Sequence, residues 1–118
     1  MNKGVLGEIM NEVKASMIKL PKKIEVVGRR WFQKSTGNTY HSCEIFVDDE
    51  KITKIPFKYG YGHQFLYTAW DYLEKQGIVP ERERKNEESG GESPWVWAAR
   101  NRVELAYFAD NVKRKKDL

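Results

Sequence analysis

The chain has 118 residues, of which 40% are hydrophobic and 32% are charged, and its formal net charge is +4. This length predicts one domain with a real core and leaves no room for a second. A single cysteine excludes an intramolecular disulfide and a zinc cluster, and no apolar run approaches the ~20 residues that span a bilayer. We expect a cytoplasmic protein with no membrane partner, no cofactor and no metal.

The first predicted element is a helix that ends before Pro21. Its apolar residues recur at steps of three and four, which indicates one stripe that packs on the core. The stripe consists of Leu6, Ile9, Met10, Val13, Met17 and Leu20.

Three strand-like runs follow, over 23–34, 38–48 and 51–59. Turn-forming residues between the runs favour an antiparallel meander. Pro56 lacks a backbone donor, so the third strand is expected to lie at a sheet edge or to end in a bulge near that point. In the second run, alternation predicts a core face made of Thr39, His41, Cys43, Ile45 and Val47.

Two further helices are predicted. One begins after Gly62 and stops at Gly77, with Phe65, Leu66, Ala69, Trp70 and Leu73 as its buried stripe. The other begins at Ser93-Pro94 and continues through Val96, Ala99, Val103, Ala106 and Tyr107. The predicted fold class is α+β: helix, three-stranded antiparallel sheet, helix, then a linker and a longer C-terminal helix.

These elements divide the chain into three parts. Residues 1–79 form the predicted α-β-β-β-α core, and 80–92 form a mixed-charge linker or loop. Residues 93–118 form the C-terminal helix with the basic end Lys113-Arg114-Lys115-Lys116, packed on the core or on a partner.

The first two strands and their turn combine cations with aromatic rings. Residues 1–34 hold eight Lys or Arg against three Glu. Cations neutralise phosphates and exposed rings stack on bases, so this hairpin predicts a nucleic-acid surface. The predicted phosphate or acid contacts are Arg29, Arg30 and Lys34, and the predicted stacking rings are Trp31 and Tyr40. Alternation along a strand puts Arg29 and Trp31 on one face and Arg30 and Phe32 on the other, so the alternative is that one of the two rings belongs to the core.

The segment Tyr59-Gly60-Tyr61-Gly62-His63 is a second binding candidate. Its glycines allow a ligand to approach the backbone closely, and the helix start that follows presents amide donors to an anion. Tyr61 and His63 are the predicted binding side chains of this segment. The alternative is a strand-to-helix turn that needs glycine's conformational freedom.

The residues carry no catalytic signature. His41 and Cys43 lie two apart on a strand, where Cys43 is expected to face the core, and the acids at 48–50 are best explained as a hairpin turn. The prediction is a non-catalytic protein that binds nucleic acid of unknown strand type.

The aromatic residues near the C-terminus suggest an alternative. Trp95, Trp97 and Phe108 would lie on more than one side of the predicted C-terminal helix. Such rings anchor interfaces, so a homodimer or a protein-interaction or inhibitor module that uses this helix is the second hypothesis. Core packing of the same helix is the structural alternative.

Two resemblances bear on these hypotheses. In element order, residues 5–77 resemble the double-stranded-RNA-binding domain, with Tyr40-His41-Ser42-Cys43-Glu44-Ile45-Phe46-Val47 at the place of its central strand. That family has a lysine cluster where this chain reads His63-Gln64-Phe65-Leu66, so its phosphate clamp is missing.

The strings Gly28-Arg29-Arg30-Trp31-Phe32, Gly37-Asn38-Thr39-Tyr40-His41 and Tyr59-Gly60-Tyr61-Gly62 resemble small uncharacterised bacteriophage-encoded proteins. This second resemblance covers roughly residues 24–77. It implies a viral or mobile-element origin and a bacterial cytoplasm, and it favours binding over catalysis without implying a known activity.

Overall fold

The structure is a computed structural model that describes residues 19–82 and 92–118. Most of the predicted N-terminal helix and residues 83–91 of the predicted linker lie outside the described residues. The described elements are β1 (Lys23–Gln33), β2 (Asn38–Val47), β3 (Glu50–Tyr59), α1 (Gln64–Lys75), α2 (Pro94–Arg100), β4 (Glu104–Val112) and a 3-10 helix (Lys115–Asp117).

The strands form one mixed sheet in the order β3-β2-β1-β4. β1, β2 and β3 make the predicted antiparallel meander, and their bounds confirm the three predicted runs. β4 lies on the other side of β1 and runs parallel to it, from the Lys23–Glu104 pair to the Trp31–Val112 pair. The prediction of a three-stranded sheet is therefore wrong, because the C-terminal segment supplies a fourth strand.

The prediction of a longer C-terminal helix is also wrong. α2 starts as predicted, with Pro94 in its first turn and the Ser93 hydroxyl accepting the Val96 N–H at 3.4 Å. It ends at Arg100, and Arg102 adopts a positive φ of 56° before β4 begins. The apolar residues from Val103 to Ala109 also recur at every second position, which suits a strand that covers the exposed edge of β1.

Both helices cover the same face of the sheet. The stripe predicted for α1 is confirmed, since all five of its residues are buried. On β2 the predicted core face is confirmed at His41, Cys43 and Ile45, and Val47 packs against the core. The buried apolar residues are Ile24, Val26, Cys43, Ile45, Phe65, Leu66, Ala69, Trp70, Leu73, Val79, Trp97, Ala98 and Val103.

The edge position predicted for Pro56 is confirmed. β3 is the outer strand next to β2, and the β2–β3 register shifts between the pairs made by His41 and Cys43, opposite Pro56. Burial raises the pKa of the Cys43 thiol to about 12, so this side chain is unreactive at neutral pH.

His41 is a satisfied core histidine, as the strand pattern predicts. Its Nδ1 lies 3.1 Å from the Gly60 carbonyl oxygen, and its Nε2 lies 2.8 Å from the Thr68 hydroxyl. Burial lowers the pKa of the imidazole below its usual 6.5. The ring therefore ties the end of β3 to α1 in its neutral form.

This burial predicts a pH dependence of stability. Below pH 6.5 the unfolded chain protonates His41 before the folded chain does, so the free energy of unfolding should fall as the pH drops below that value. The slope should be at most about 1.4 kcal/mol per pH unit, and above the unfolded pKa His41 should contribute no pH dependence. Urea unfolding at a series of pH values, with His41→Gln as the comparison, measures it. Equal slopes for the two proteins would contradict the prediction.

Candidate functional site

The two faces of the sheet separate the residues predicted to form one basic surface. On β1, Arg29 and Trp31 lie on the face turned away from the helices, here the outer face. Arg30 lies on the helix face, where its Nε donates to the Asn111 side-chain oxygen at 3.2 Å and its Nη1 to the Gly62 carbonyl at 3.0 Å. Arg30 therefore ties β1 to β4 and to the turn before α1, away from Trp31.

An aromatic ladder, defined as Trp31, Tyr40, Phe57 and Tyr59, crosses the outer face. Trp31 and Tyr40 are cross-strand partners whose ring centroids lie 5.8 Å apart at an interplanar angle of 27°. The Tyr40 and Phe57 rings are closer, at 4.7 Å and 17°. Tyr59 meets Tyr40 edge-on at 74°. Three neighbouring strands thus contribute to one stack of rings.

The rings of the ladder are most exposed at its β3 end. Because Tyr40 is flanked by Trp31 and Phe57, its ring is half-buried, whereas Phe57 is 41% and Tyr59 61% exposed. Aromatic rings of this kind accept further stacking partners on an exposed π-face. The accessible π-surface is therefore concentrated at the β3 end.

Ion pairs on the outer face reduce the charge that Arg29 offers to a ligand. Its Nη1 donates to the Glu44 carboxylate at 2.8 Å, and Lys51 reaches the other carboxylate oxygen at 3.3 Å. The hydrogen bond from Arg29, supported by Lys51, holds the pKa of Glu44 below its usual value. Together, the two cations and the one carboxylate carry a net charge of +1.

The C-terminal tail, residues 113–118, brings one cation, Lys115, to the ladder. It leaves β4 at one edge of the sheet and ends beside β3 at the other, where Lys54 Nζ donates to the Leu118 carbonyl at 3.2 Å. On the way, the Lys115 ammonium lies 5.0 Å from the centroid of the Phe57 ring. Such a cation–π contact occupies the ring face at the end of the stack.

The remaining predicted nucleic-acid residues are divided between two places. Lys34 lies exposed in the β1–β2 turn, directly after the Gln33–Asn38 pair that ends the β1–β2 ladder. Tyr61 is exposed in the turn before α1, while His63 sits at the N-cap of α1 on the helix-face side. There the His63 ring contacts Trp95 and Tyr107, with centroid distances of 6.1 and 5.7 Å.

The three residues predicted to bind a partner do not share one helix. Trp97 is buried, where its ring meets Trp70 at 5.6 Å, so it belongs to the core. Trp95 is partly exposed on α2, and Phe108 lies on the outer face of β4 with an exposed ring. The two exposed residues, Trp95 and Phe108, therefore lie near β4 on opposite faces of the sheet.

Of the ladder residues, Phe57 was missed from the sequence, and Tyr59 was placed only in the second candidate segment and not with Trp31 and Tyr40. Their spacing of two within a predicted strand was the available signal, because it places both rings on one face. The approach of Lys115 had no local signal, since the tail meets β3 only through the fourth strand.

Across residues 19–82 and 92–118, no group of three or more His, Cys, Asp or Glu side chains is placed to hold a metal ion. Neither α1 nor α2 has the length and hydropathy needed to cross a membrane.

Fold and surface together define a small mixed α+β domain with an aromatic ladder on the outer face of its sheet. Comparison of the chain with protein-family models, with curated proteins and with solved structures gave no match.

Proposed function

We propose that the protein is a non-catalytic nucleic-acid-binding domain that stacks unpaired bases on the aromatic ladder. The observation that carries the proposal is the stack of three rings from three neighbouring strands, with a lysine over its exposed end. Stacking on aromatic side chains requires bases that are not paired and stacked in a duplex. The favoured ligand is therefore single-stranded RNA or DNA in the cytoplasm.

The geometry suggests how a base would bind. Its π-face would continue the stack at Phe57 and displace the Lys115 ammonium, which would then be free to contact a phosphate. Tyr59 offers a second ring beside this position. Lys115 beside Phe57 and the exposed Lys34 in the β1–β2 turn add positive charge. Contacts between such cations and phosphates weaken as salt is added because counterions are released.

Binding of labelled oligothymidylate, oligouridylate and duplex RNA at two salt concentrations tests the proposal. Phe57→Ala should weaken single-strand binding by roughly 5- to 150-fold, which corresponds to the loss of ~1–3 kcal/mol of stacking on one base. Phe32→Ala is the matched control, since that phenyl ring is 55% exposed but lies on the helix face of β1. Circular dichroism checks that both variants are folded.

Two results would overturn the proposal. One is the absence of salt-sensitive binding to any of the three nucleic acids, and the other is an equal loss in Phe57→Ala and Phe32→Ala. The hairpin hypothesis predicts that Arg30→Ala weakens binding. Binding at the ladder should change little in this variant, because the Arg30 side chain lies on the helix face.

A further inference from the structure

The two edges of the sheet differ in their protection against further strand pairing. The β3 edge carries Pro56, two register irregularities and the lysines Lys51, Lys54 and Lys58. Proline, bulges and lysines are the devices by which proteins block edge pairing. β4 is a nine-residue edge strand without proline or lysine, and its register with β1 is continuous.

The backbone of β4 presents regular donors and acceptors at this edge. The Glu104 N–H donates to the Lys22 carbonyl at 3.0 Å, so the polar groups of Glu104 face β1. The backbone N–H and C=O groups of successive strand residues point alternately toward and away from a given neighbouring strand. The groups that point outward belong to Leu105, Tyr107, Ala109 and Asn111, and no strand within the described ranges pairs with them.

Exposed aromatic side chains flank the same edge on both faces. Tyr107 and Trp95 lie on the helix face, and Phe108 lies on the outer face, where it is 56% exposed. Edge strands of monomeric proteins seldom carry exposed aromatic rings, because such rings favour association with other chains.

We propose that β4 pairs antiparallel with β4 of a second copy of this chain, so that two four-stranded sheets become one eight-stranded sheet. The outward-facing residues form hydrogen-bonded pairs when Tyr107 meets the partner's Ala109 and Leu105 meets the partner's Asn111. The two-fold axis then passes between the two Phe108 residues, whose rings contact each other on the outer face.

The distribution of charge favours this register and this occupant. Glu104 at the start of β4 then approaches the partner's Lys113 and Arg114, which follow the end of the partner's strand. Centring the axis on Tyr107 instead would place Glu104 opposite the partner's Asp110, and like charges in a cross-strand pair are destabilising. The edge is thus self-complementary in backbone, apolar contact and charge.

Sedimentation equilibrium of the full chain over protein concentrations of about 1 to 200 µM tests the proposal. The protein should show a concentration-dependent dimer. Phe108→Glu places two carboxylates at the axis and should raise the dissociation constant about tenfold or more. Phe32→Glu, which changes an equally exposed phenyl ring on another strand, should leave the constant within about twofold.

Cross-linking tests the register even if Phe108→Glu fails to fold. The two Phe108 Cα atoms should lie about 4.5 Å apart, as in a non-hydrogen-bonded pair, which suits a disulfide. Phe108→Cys should therefore form a covalent dimer with oxidised glutathione, whereas Ala106→Cys should not. The native Cys43 is buried and does not interfere. A monomer at all concentrations, a dimer unaffected by Phe108→Glu, or equal cross-linking of the two cysteine variants would overturn the proposal.

Discussion

Replacing Arg82 by methionine should lower the free energy of unfolding by about 3 to 5 kcal/mol, the usual cost of removing one partner from a buried ion pair. The Arg82 side chain is 4% exposed, and its Nε donates to the Glu74 carboxylate, which is 7% exposed. Its Nη2 lies 3.3 Å from an Asp71 oxygen, and its guanidinium lies 5.6 Å from the centroid of the Tyr67 ring. The variant would leave the Glu74 carboxylate buried without this guanidinium. Urea unfolding measures the loss.

Two comparisons make the Arg82 experiment specific. Arg114→Met removes an exposed pair with Asp117 and should cost no more than about 1 kcal/mol. The double variant Arg82→Met/Glu74→Met replaces both charges and should recover most of the lost stability. An Arg82→Met loss no larger than that of Arg114→Met would show that the buried pair is not stabilising.

Replacing Gly28 by valine should lower the free energy of unfolding by about 3 kcal/mol, and replacing it by alanine by about 2 kcal/mol. Gly28 is buried in β1 between Cys43 of β2 and Ala109 of β4. A Cβ atom at this position would lie 2.6 Å from Cδ2 and 2.7 Å from Cγ of Phe65, so the ring of α1 would have to move. Thermal or urea unfolding of the two variants measures the effect.

A second substitution identifies the cause of this loss. Phe65→Leu opens space above Gly28, so Gly28→Ala should cost less in that background than in the native chain. Equal costs in the two backgrounds would show that contact with Phe65 is not what requires glycine.

The antiparallel meander and α1 could be predicted because their signals are local. Alternation along β2 distinguishes the buried His41 from the outer-face Tyr40, and the stripe of α1 follows the helical period. The turn that contains Gly37 and the edge strand that contains Pro56 could also be predicted from these residues and their immediate neighbours. These features require no knowledge of distant partners.

The C-terminal segment could not be assigned from local pattern alone. Spacings of three and four and spacings of two both occur between Val96 and Ala109, and the free edge of β1 decides in favour of a strand. The misassignment placed Phe108 on a helix, and it concealed the tail that carries Lys115 to Phe57.

The burial of Arg82 could not be predicted from the sequence either. It lies in a charged stretch without apolar neighbours, and such stretches are usually solvated. Its partners Glu74 and Asp71 belong to the preceding helix, so only the folded chain brings the charges together. Arg29 and Arg30 were grouped as contacts of one predicted surface, but the structure puts them on opposite faces, as the alternation along a strand requires.

The parallel pairing of β1 with β4 also bears on how the chain is made. Arg30 and its β4 partner Asn111 are 81 positions apart. At roughly 5–20 residues per second, a ribosome needs about 4–16 s to add the intervening residues. During that time the edge of β1 that β4 later covers has no strand partner in the described part of the chain. Until β4 is made, that edge can pair with a strand of another nascent chain, which is a risk of aggregation during synthesis.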